Sequence, residues 1–404
     1  MRRRSQLLLL ALGHGVTDTY SNFLPGFIFF LSEKLRLTNT QVGLLATVVS
    51  IAGSISQLLY GYMADRVRRP YFIVLGPAAA ALFMSLLGTA GSVWTLVLLL
   101  ILGGSGVACF HPQAAMAAGS GHPRRRGFEL AIFITAGTAG YSIGPLVATR
   151  AAQWFGLERA WVAAIPGLLA AGVLYFGLHR SGKAAAAHPT EQGASLPPPP
   201  GASESDLPTP RQPDGSAPQS RLPLALGFLW AIVSLRAAVG TGLVHFMPLF
   251  LKGRGHDAGY ASVAVSLYLL TGAAGGMLGG PLSDRWGRRR VLLSSLFLST
   301  PPLLALTLVS PRLFWLMLVL SGFILSLSAT VNVAMAQEIA PGRQGTASAI
   351  VQGLAFGTGG LLAVLMGWIA DQTSIGAVYR GLAFIPLLTV PVAVLLPETV
   401  RARP

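Results

Sequence analysis

Long apolar runs are the feature that most constrains what this chain can fold into. Four of them, at residues 5–31, 42–64, 94–116 and 313–335, exceed the roughly 18–20 residues that a helix needs to cross a bilayer. Only 11% of the residues are charged, whereas a soluble chain carries about 25%. Because lipid offers the backbone no hydrogen-bond partner, these runs must be helical. We therefore expect an all-α integral membrane protein.

Apolar segments of this kind divide the whole chain. Twelve transmembrane helices are predicted, at about residues 6–31, 40–64, 70–91, 94–119, 127–150, 156–178, 222–250, 258–282, 290–309, 312–337, 344–370 and 375–397. The first run is too long for a signal peptide and lacks a small-residue cleavage site, so we interpret it as the first helix. The single cysteine, Cys109, excludes a disulfide framework.

The formal net charge of +15 is distributed unevenly along the chain. One set of alternate loops, together with both termini, holds 20 lysines and arginines, the opposite loops and helix ends hold 8, and Arg236 lies inside a span. Short basic loops remain in the cytoplasm. We therefore expect a multi-pass protein of the bacterial inner membrane with both termini cytoplasmic. Nucleic acid is not an expected partner, because no basic stretch is joined to a soluble domain.

Residues 181–221 differ from the rest of the chain. They are rich in Pro, Ala, Ser and Gly and contain almost no large apolar side chain. Such a segment cannot bury enough apolar surface to fold, so a disordered cytoplasmic linker is predicted. It divides the chain into an N-terminal six-helix bundle (1–180) and a C-terminal six-helix bundle (222–404).

The two bundles are related by an internal repeat. Gly61 and Asp65 at the end of the second span correspond to Gly280 and Asp284 at the end of the eighth, 219 residues later. The sequence 136–140 matches 356–360 at a shift of 220. Several matches at a nearly constant offset indicate duplication, and parallel repeats of six helices are a known plan of transporters. We therefore expect two pseudo-symmetric bundles.

Both copies of the repeat carry a loop motif. Residues 280–290 fit the pattern Gly-x-x-x-Asp-Arg-x-Gly-Arg-Arg at every position, and through this motif the chain resembles the major facilitator superfamily over nearly its whole length. The first copy departs from the pattern, because Arg68 replaces the second glycine. The aspartates are predicted to pair with arginines and with helix N-termini, which would hold the cytoplasmic side closed. The predicted gate residues are Gly61, Asp65, Arg66, Arg69, Gly280, Asp284, Arg285, Gly287 and Arg288.

A second motif lies in the fifth span. Gly137, Gly140, Gly144 and Pro145 resemble the antiporter motif of the superfamily's exporters, although its trailing glycine pair is replaced here. Small residues at these spacings allow close helix contact, and proline bends a helix. The resemblance favours export, while ordinary membrane packing is the alternative interpretation.

Ionisable residues at membrane depth are expensive and usually functional. His14 and Asp18 are four residues apart, so they share one face of the first helix. His111, Arg236 and His245 lie in the fourth and seventh spans. By resemblance to the superfamily, all five are expected to line a central cavity. Neutral polar groups expected to join them are Tyr20, Asn22, Gln57, Gln113 and Asn332.

We assign two roles to these charged groups. Asp18 is predicted to take up and release a proton, with His14 and His111 as proton relays or substrate contacts. Arg236 keeps its charge and has a planar donor fork, which suits a phosphonate, phosphate or carboxylate. A static ion pair between Asp18 and Arg236 is the alternative, and a structural role remains open for each histidine. Substrate contacts are predicted for Arg236, His245, Tyr20, Asn22, Gln57, Gln113 and Asn332.

The combination of residues 14–18, 110–113 and 235–248 is similar to the fosmidomycin-resistance branch of the superfamily. Gln113 departs from that branch, which usually has glutamate there. The resemblance implies a proton-driven exporter of a small drug-like or anionic compound, such as a phosphonate.

Two other kinds of transport stay open. His14, Asp18, His111 and His245 could be ligands of a divalent transition metal in a metal transporter, and proton symport could drive uptake of a sugar or organic anion. Enzymatic activity is not expected, because the sequence has no phosphate-binding glycine loop, zinc motif or nucleophile elbow. We expect a monomer that contacts membrane lipid, protons and a small-molecule substrate and needs no cofactor.

Overall fold

The computed structural model describes residues 3–64, 66, 70–120, 126–180 and 222–399. These residues form fifteen α-helices and no strand. The helices before the predicted linker are α1 (Arg3–Ser21), α2 (Phe23–Lys34), α3 (Asn39–Ala64), α4 (Tyr71–Ser85), α5 (Val93–Gly119), α6 (Arg126–Phe155) and α7 (Ala164–Arg180). Those after it are α8 (Leu222–Lys252), α9 (Ala258–Trp286), α10 (Arg288–Ala305), α11 (Pro311–Ser326), α12 (Ser328–Ile339), α13 (Gln344–Ser348), α14 (Ala355–Gln372) and α15 (Ile375–Val394).

Ten helical segments in the described part of the chain are long and apolar enough to cross a membrane. Two of them combine neighbouring helices, α11 with α12, and α13 with α14 through a π-helical segment at Ala349–Leu354. The other two predicted spans correspond to α1 with α2 and to α10. The predicted fold class, an all-α integral membrane protein, is confirmed, and the twelve predicted spans are consistent with these helices.

The surface of these helices is strongly apolar. Leu388, within α15, is 72% exposed, and Leu169 in α7 and Met277 in α9 are each 66% exposed. An apolar surface this extensive is a liability in water, but it is the surface that a hydrocarbon environment requires. The apolar outer faces are suited to contact with lipid, and the polar side chains discussed below lie between the helices.

The first predicted span is broken at Asn22, between α1 and α2. Pro25 lies three residues later and has no backbone N–H, so the carbonyl of Ser21 loses the partner that it would have in a continuous helix. The break leaves Asn22 free to donate from Nδ2 to the carbonyl of Tyr141 in α6, at 2.9 Å.

The first half (3–180) and the second half (222–399) meet toward one side of the molecule. We call this the distal side, where α2, α8 and α14 end and α3 begins. Gly43 and Gly367 let α3 and α14 approach until backbone contacts backbone, and Thr47 donates to the carbonyl of Gly360 at 2.7 Å. One apolar core here contains side chains from both halves, including Phe27 and Phe246.

The opposite side, where α1 begins and α15 ends, is organised differently. Its apolar clusters each belong to one half, around Leu10 and Phe133 in the first and around Leu229 and Met335 in the second. We call it the terminal side. The described residues thus form a molecule that is sealed at the distal side and divided at the terminal side.

The predicted linker at 181–221 lies outside the described residues, as do Asp65, Arg68 and Arg69 of the first loop motif. The repeat is visible in the described helices, since α3 and α9 begin 219 residues apart, which is the shift found between the two motifs.

Candidate functional site

Asp18 in α1 lies between two imidazole rings. Its Oδ2 atom is 3.2 Å from Nε2 of His14, one helical turn earlier. Its Oδ1 atom is 3.1 Å from Nε2 of His111 in the adjacent helix α5. The predicted convergence of these three side chains is therefore present, and each carboxylate oxygen has an imidazole of its own.

The second nitrogen of each ring is also held. Nδ1 of His14 is 2.8 Å from the carbonyl oxygen of Phe133 in α6, and Nδ1 of His111 is 2.8 Å from the carbonyl oxygen of Val107. A carbonyl oxygen can only accept a hydrogen bond. Each Nδ1 atom must therefore carry a hydrogen, which leaves the two Nε2 atoms to face the carboxylate.

This geometry defines how many protons the cluster can hold. Each contact between Nε2 and a carboxylate oxygen needs one proton, supplied either by the ring or by the acid. With both protons present, the His14–Asp18–His111 cluster carries one net positive charge. When one of these protons is removed, a nitrogen lone pair faces an oxygen lone pair in one of the two contacts. The cluster can therefore hold either one or two bridging protons.

Aromatic rings enclose one side of the cluster. The ring of His14 is stacked on Phe133 with centroids 4.1 Å apart and meets the ring of His111 edge-on at 5.0 Å. On the other side is a cavity of about 260 Å³. Asp18, Asn22, His111 and Tyr141 of the first half line this cavity together with His245 of the second. His245 is buried, and its Nδ1 lies 3.1 Å from the carbonyl oxygen of Thr241.

Arg236 in α8 has a different environment from Asp18. Its guanidinium makes no hydrogen bond or ion pair with any residue that the structure describes, and its buried Nε atom has no partner. Its guanidinium carbon lies 5.7 Å from the centroid of the Phe356 ring. The alternative prediction of a static pair with Asp18 is not realised in the structure. Asn332 is fully buried, and both its amide atoms lack partners. Unpaired groups of this kind are costly.

The remaining predicted cavity residues have other environments. Tyr20 donates to the carbonyl of Ala163 at 2.6 Å. Gln113 accepts hydrogen bonds at Oε1 from the backbone nitrogens of Phe72 and Ile73, so it caps α4. Gln57 is exposed on α3. Among these neutral residues, only Asn22 lines the cavity described above, and Tyr141 and Ser21 are lining residues that the sequence patterns did not indicate.

The second copy of the loop motif forms an ion network within its own half. Arg288 lies 2.7 Å from Asp284 and 3.0 Å from Glu338 of α12. Gly287 has φ = 95°, a conformation that side chains disfavour, which explains the second glycine of the motif. Gly280 lies in α9 before Gly287, and Arg285 lies in the last turn of α9.

The described residues of the first copy show no latch across the halves. Arg66 donates to the carbonyl of Tyr62 at 3.1 Å and lies over its ring, and Gly61 faces open space. Asp65 and Arg69 are outside the described residues. The predicted closure of this side therefore does not appear among the described gate residues.

The seal at the distal side was not predicted from the sequence. Asp371 in the last turn of α14 accepts hydrogen bonds from the backbone nitrogens of Asn39 and Thr40 at 2.8 Å each, and from their side chains at 2.9 and 2.6 Å. Lys252 at the end of α8 lies 3.3 Å from Glu33. An acidic residue in a last helical turn opposes its own helix dipole, and that was the available signal that Asp371 has a partner elsewhere.

The glycines of the fifth-span motif face α1 and α2. A methyl group at Gly140 would overlap the backbone of Gly15, and one at Gly144 would overlap the carbonyl of Thr19. The carbonyl of Pro145 abuts Gly26. Gly137 faces the ring of His14 instead. The motif thus brings α6 against the helix that carries Asp18.

Three of the four predicted metal ligands converge. Donor atoms of His14, Asp18 and His111 all lie within 4.8 Å of one another, while His245 is outside this group in the part of the chain described. Mixed imidazole and carboxylate donors suit a divalent transition metal, so the same cluster could offer three ligand atoms to such an ion.

Comparison with known proteins gives concordant results. The family model described as Major Facilitator Superfamily matches residues 10–265 and 229–404. The uncharacterized MFS-type transporter YfnC of Bacillus subtilis is 28% identical over 406 residues, which cover 98% of this chain and 94% of that protein. The fosmidomycin resistance protein of Escherichia coli K12 is 28% identical over 386 residues, covering 94% of this chain and 89% of that protein.

The fold also has solved counterparts. The crystal structure of a bacterial homologue of the human lysosomal transporter Spinster, in an inward-facing and occupied conformation, superposes with a TM-score of 0.73. The alignment covers 97% of this chain and 95% of that one at 17% sequence identity.

Proposed function

Because the chain belongs to the major facilitator superfamily, we propose that it is a proton-coupled antiporter that exports a small drug-like or anionic compound by alternating access. Membership makes the chain a multi-pass membrane transporter for a small molecule and not an enzyme. The proton coupling, the direction and the substrate are the proposed part, and the site geometry supports each of them separately.

Proton coupling is supported above all by the contacts of Asp18. Both its oxygen atoms face imidazole nitrogens, at 3.2 and 3.1 Å, while the opposite ring nitrogens are occupied by carbonyl oxygens. A static packing role would be served by a neutral amide at position 18. The cluster can hold two bridging protons or one. It is therefore suited to taking up a proton on one side of the membrane and releasing it on the other.

The substrate class is supported by Arg236. A guanidinium without a carboxylate partner is expensive inside a membrane, and its planar fork binds phosphonate or carboxylate oxygens in pairs. The fosmidomycin resistance protein is similar to this chain over most of its length, and fosmidomycin is a phosphonate. We therefore assign the acidic end of the substrate to Arg236.

Exchange requires that substrate and proton exclude each other. Arg236 has no carboxylate partner among the described residues, so the mutual exclusion must occur in the cavity beside Asp18 and His111. A substrate that donates a hydrogen bond to Asp18 takes the place of one bridging proton. A molecule with a donor at one end and an acid at the other would engage both halves, and its binding would expel a proton.

The conformation agrees with this scheme. If the basic loops and termini are cytoplasmic, as the positive-inside rule predicts, the sealed distal side faces outward and the divided terminal side faces the cytoplasm. The molecule is then in an inward-facing state, in which an exporter binds its substrate and releases its proton. Lys252, Glu33 and Asp371 form the outer closure of that state.

The experiment is transport in proteoliposomes with an imposed proton gradient. Fosmidomycin and methylphosphonate are the probes, and movement of the probe against the direction of proton flow is the expected result. Asp18→Asn should abolish the dependence on the gradient. The matched control is Asp257→Asn, which changes an aspartate that caps α9 at the distal side and should leave the coupling unchanged.

The alternatives give different outcomes in the same vesicles. Movement of the probe or of a sugar in the same direction as protons would indicate symport. Uptake of Zn²⁺ or Co²⁺ that is lost in His14→Ala and His111→Ala would favour the metal transporter, which the convergence of three donors within 4.8 Å makes the second candidate. Proton-coupled flux that persists in Asp18→Asn would refute the proposed role of Asp18.

A further inference from the structure

Gly137 in α6 lies directly against the imidazole of His14. A methyl group built on its Cα would overlap Cε1 and Nε2 of that ring and would lie 2.7 Å from Cδ2. Real carbon contacts are never this short, so any side chain at this position would force the ring to move. Gly140 and Gly144 of the same motif differ, because the closest neighbour of each is a backbone oxygen of α1.

The ring of His14 is held at both ends. Nδ1 contacts the carbonyl oxygen of Phe133, and Nε2 contacts Asp18. Because imidazole is rigid and planar, both contacts can be made only if the ring occupies one particular position. The stacking of the ring on Phe133 at 4.1 Å and its burial restrict that position further.

Gly137 also makes the carbonyl of Phe133 accessible. In a regular α-helix the carbonyl of residue 133 accepts the backbone N–H of residue 137 and keeps a second lone pair. A side chain four residues later lies over the same face of the helix. With glycine there, α6 supplies both the acceptor for Nδ1 and the space in which the ring lies.

We propose that Gly137 is a positioning residue for the proton site: its missing side chain lets His14 bind the Phe133 carbonyl and Asp18 at the same time. The expected effect on transport rests on the proposed function, whereas the contact between Gly137 and His14 does not depend on it. The glycine of the fifth-span motif then acts on the chemistry of the site, beyond its part in packing α6 against α1.

The test is a double-mutant cycle on the full-length protein in detergent, read by thermal unfolding. The variants are Gly137→Ala, His14→Ala and the pair. Alanine is the better helix former, so Gly137→Ala should raise the melting temperature where His14 has been removed. Where His14 is present, the displaced ring should cancel or reverse that gain.

Gly172→Ala is the control, because the same exchange of glycine for alanine in α7 places its methyl group in open space. Its effect on the melting temperature should be the same with and without His14. If Gly137→Ala also has the same effect in both backgrounds, the positioning role is refuted.

A second readout separates positioning from packing. The pH profile of probe transport should shift in Gly137→Ala toward that of His14→Ala, whereas Gly172→Ala should leave the profile unmoved. The melting temperatures could show that Gly137→Ala depends on His14 while the pH profile of transport stays unchanged. That result would support the contact but refute the role of His14 in the proposed proton site. A moved profile in both glycine variants would refute the specificity of Gly137.

Discussion

At the scale of single residues, the site depends on one carboxylate shared by two imidazoles. The spacing of His14 and Asp18 predicted that they share a helical face, and this was enough to place them together. The approach of His111 required knowledge of which helices are neighbours, which came from the resemblance. The isolation of Arg236 from Asp18 could not be predicted, because equivalent positions in two repeats say nothing about the distance between their side chains.

Gln113 is a second residue whose role could not be predicted from the sequence. It is a polar residue at membrane depth next to His111, so the sequence suggested a substrate contact. In the structure its Oε1 atom accepts from two backbone nitrogens at the start of α4, at 3.1 and 3.3 Å. The first residues of a helix need such acceptors, and Pro70 at the cap position gives no side-chain hydrogen bond. A need for capping elsewhere in the fold is invisible from the sequence around Gln113.

Arg236→Lys tests the assignment of the anionic end of the substrate. Lysine keeps the charge but loses the planar fork, so the dissociation constant of fosmidomycin should rise about tenfold, and Arg236→Ala should raise it further. Equilibrium binding of labelled fosmidomycin to the protein in detergent measures both changes.

The control for this prediction is a second arginine of the same half. Arg254 donates to the carbonyls of Leu306 and Thr307 at 3.2 and 2.6 Å, so its fork is already used in holding α8 near the end of α10. Arg254→Lys should leave the dissociation constant unchanged. Equal dissociation constants for the two lysine variants would contradict the proposed role of Arg236.

At the scale of helices, the contact between α3 and α14 decides which side of the molecule is closed. The apolar runs predicted both helices, but their pairing across the halves depends on glycines that allow backbone contact, such as Gly43 and Gly367. The break between α1 and α2 could have been anticipated from Pro25, because proline removes a helical hydrogen bond four residues earlier. The cap that Asp371 places on α3 joins residues more than 300 positions apart and had only a weak local signal.

Asp371→Asn should open the distal side. The substitution removes the negative charge at the N-terminus of α3 and replaces one of two acceptor oxygens by a donor, which costs about 1 kcal/mol for an exposed cap. The population of the open state should therefore rise about fivefold. Spin labels are placed at the exposed positions Trp154 and Arg312 in a Cys109→Ser background. Double electron–electron resonance then reports the opening as a longer distance between the two labels.

Asp257→Asn is the control for this measurement. Asp257 accepts from the backbone nitrogen of Tyr260 at 2.8 Å and so caps α9 within a single half. Its replacement should leave the distance distribution as in the unmodified chain. A distribution that is the same in Asp371→Asn and the unmodified chain would show that the cap does not stabilise the closed side.

At the scale of the whole molecule, the duplicated plan was the most predictable property. The apolar runs, the shift of 219 residues and the distribution of arginines together predict an all-helical membrane protein with related halves. The side on which the halves separate was not predictable, because one sequence can adopt two arrangements of similar free energy. The loop motif predicts a closed terminal side, whereas the described apolar residues on that side form separate clusters in the two halves.

The proposed transport cycle requires that substrate and proton displace each other at the His14–Asp18–His111 cluster. The most direct test is proton release when fosmidomycin binds to the full-length protein in weakly buffered detergent, followed with a pH indicator and compared with Asp18→Asn. We expect close to one proton to be released for each molecule that the unmodified protein binds, above the level seen with the variant. Fosmidomycin binding without proton release, or with proton uptake, would contradict the proposed exchange. Equal proton release from Asp18→Asn would also contradict it.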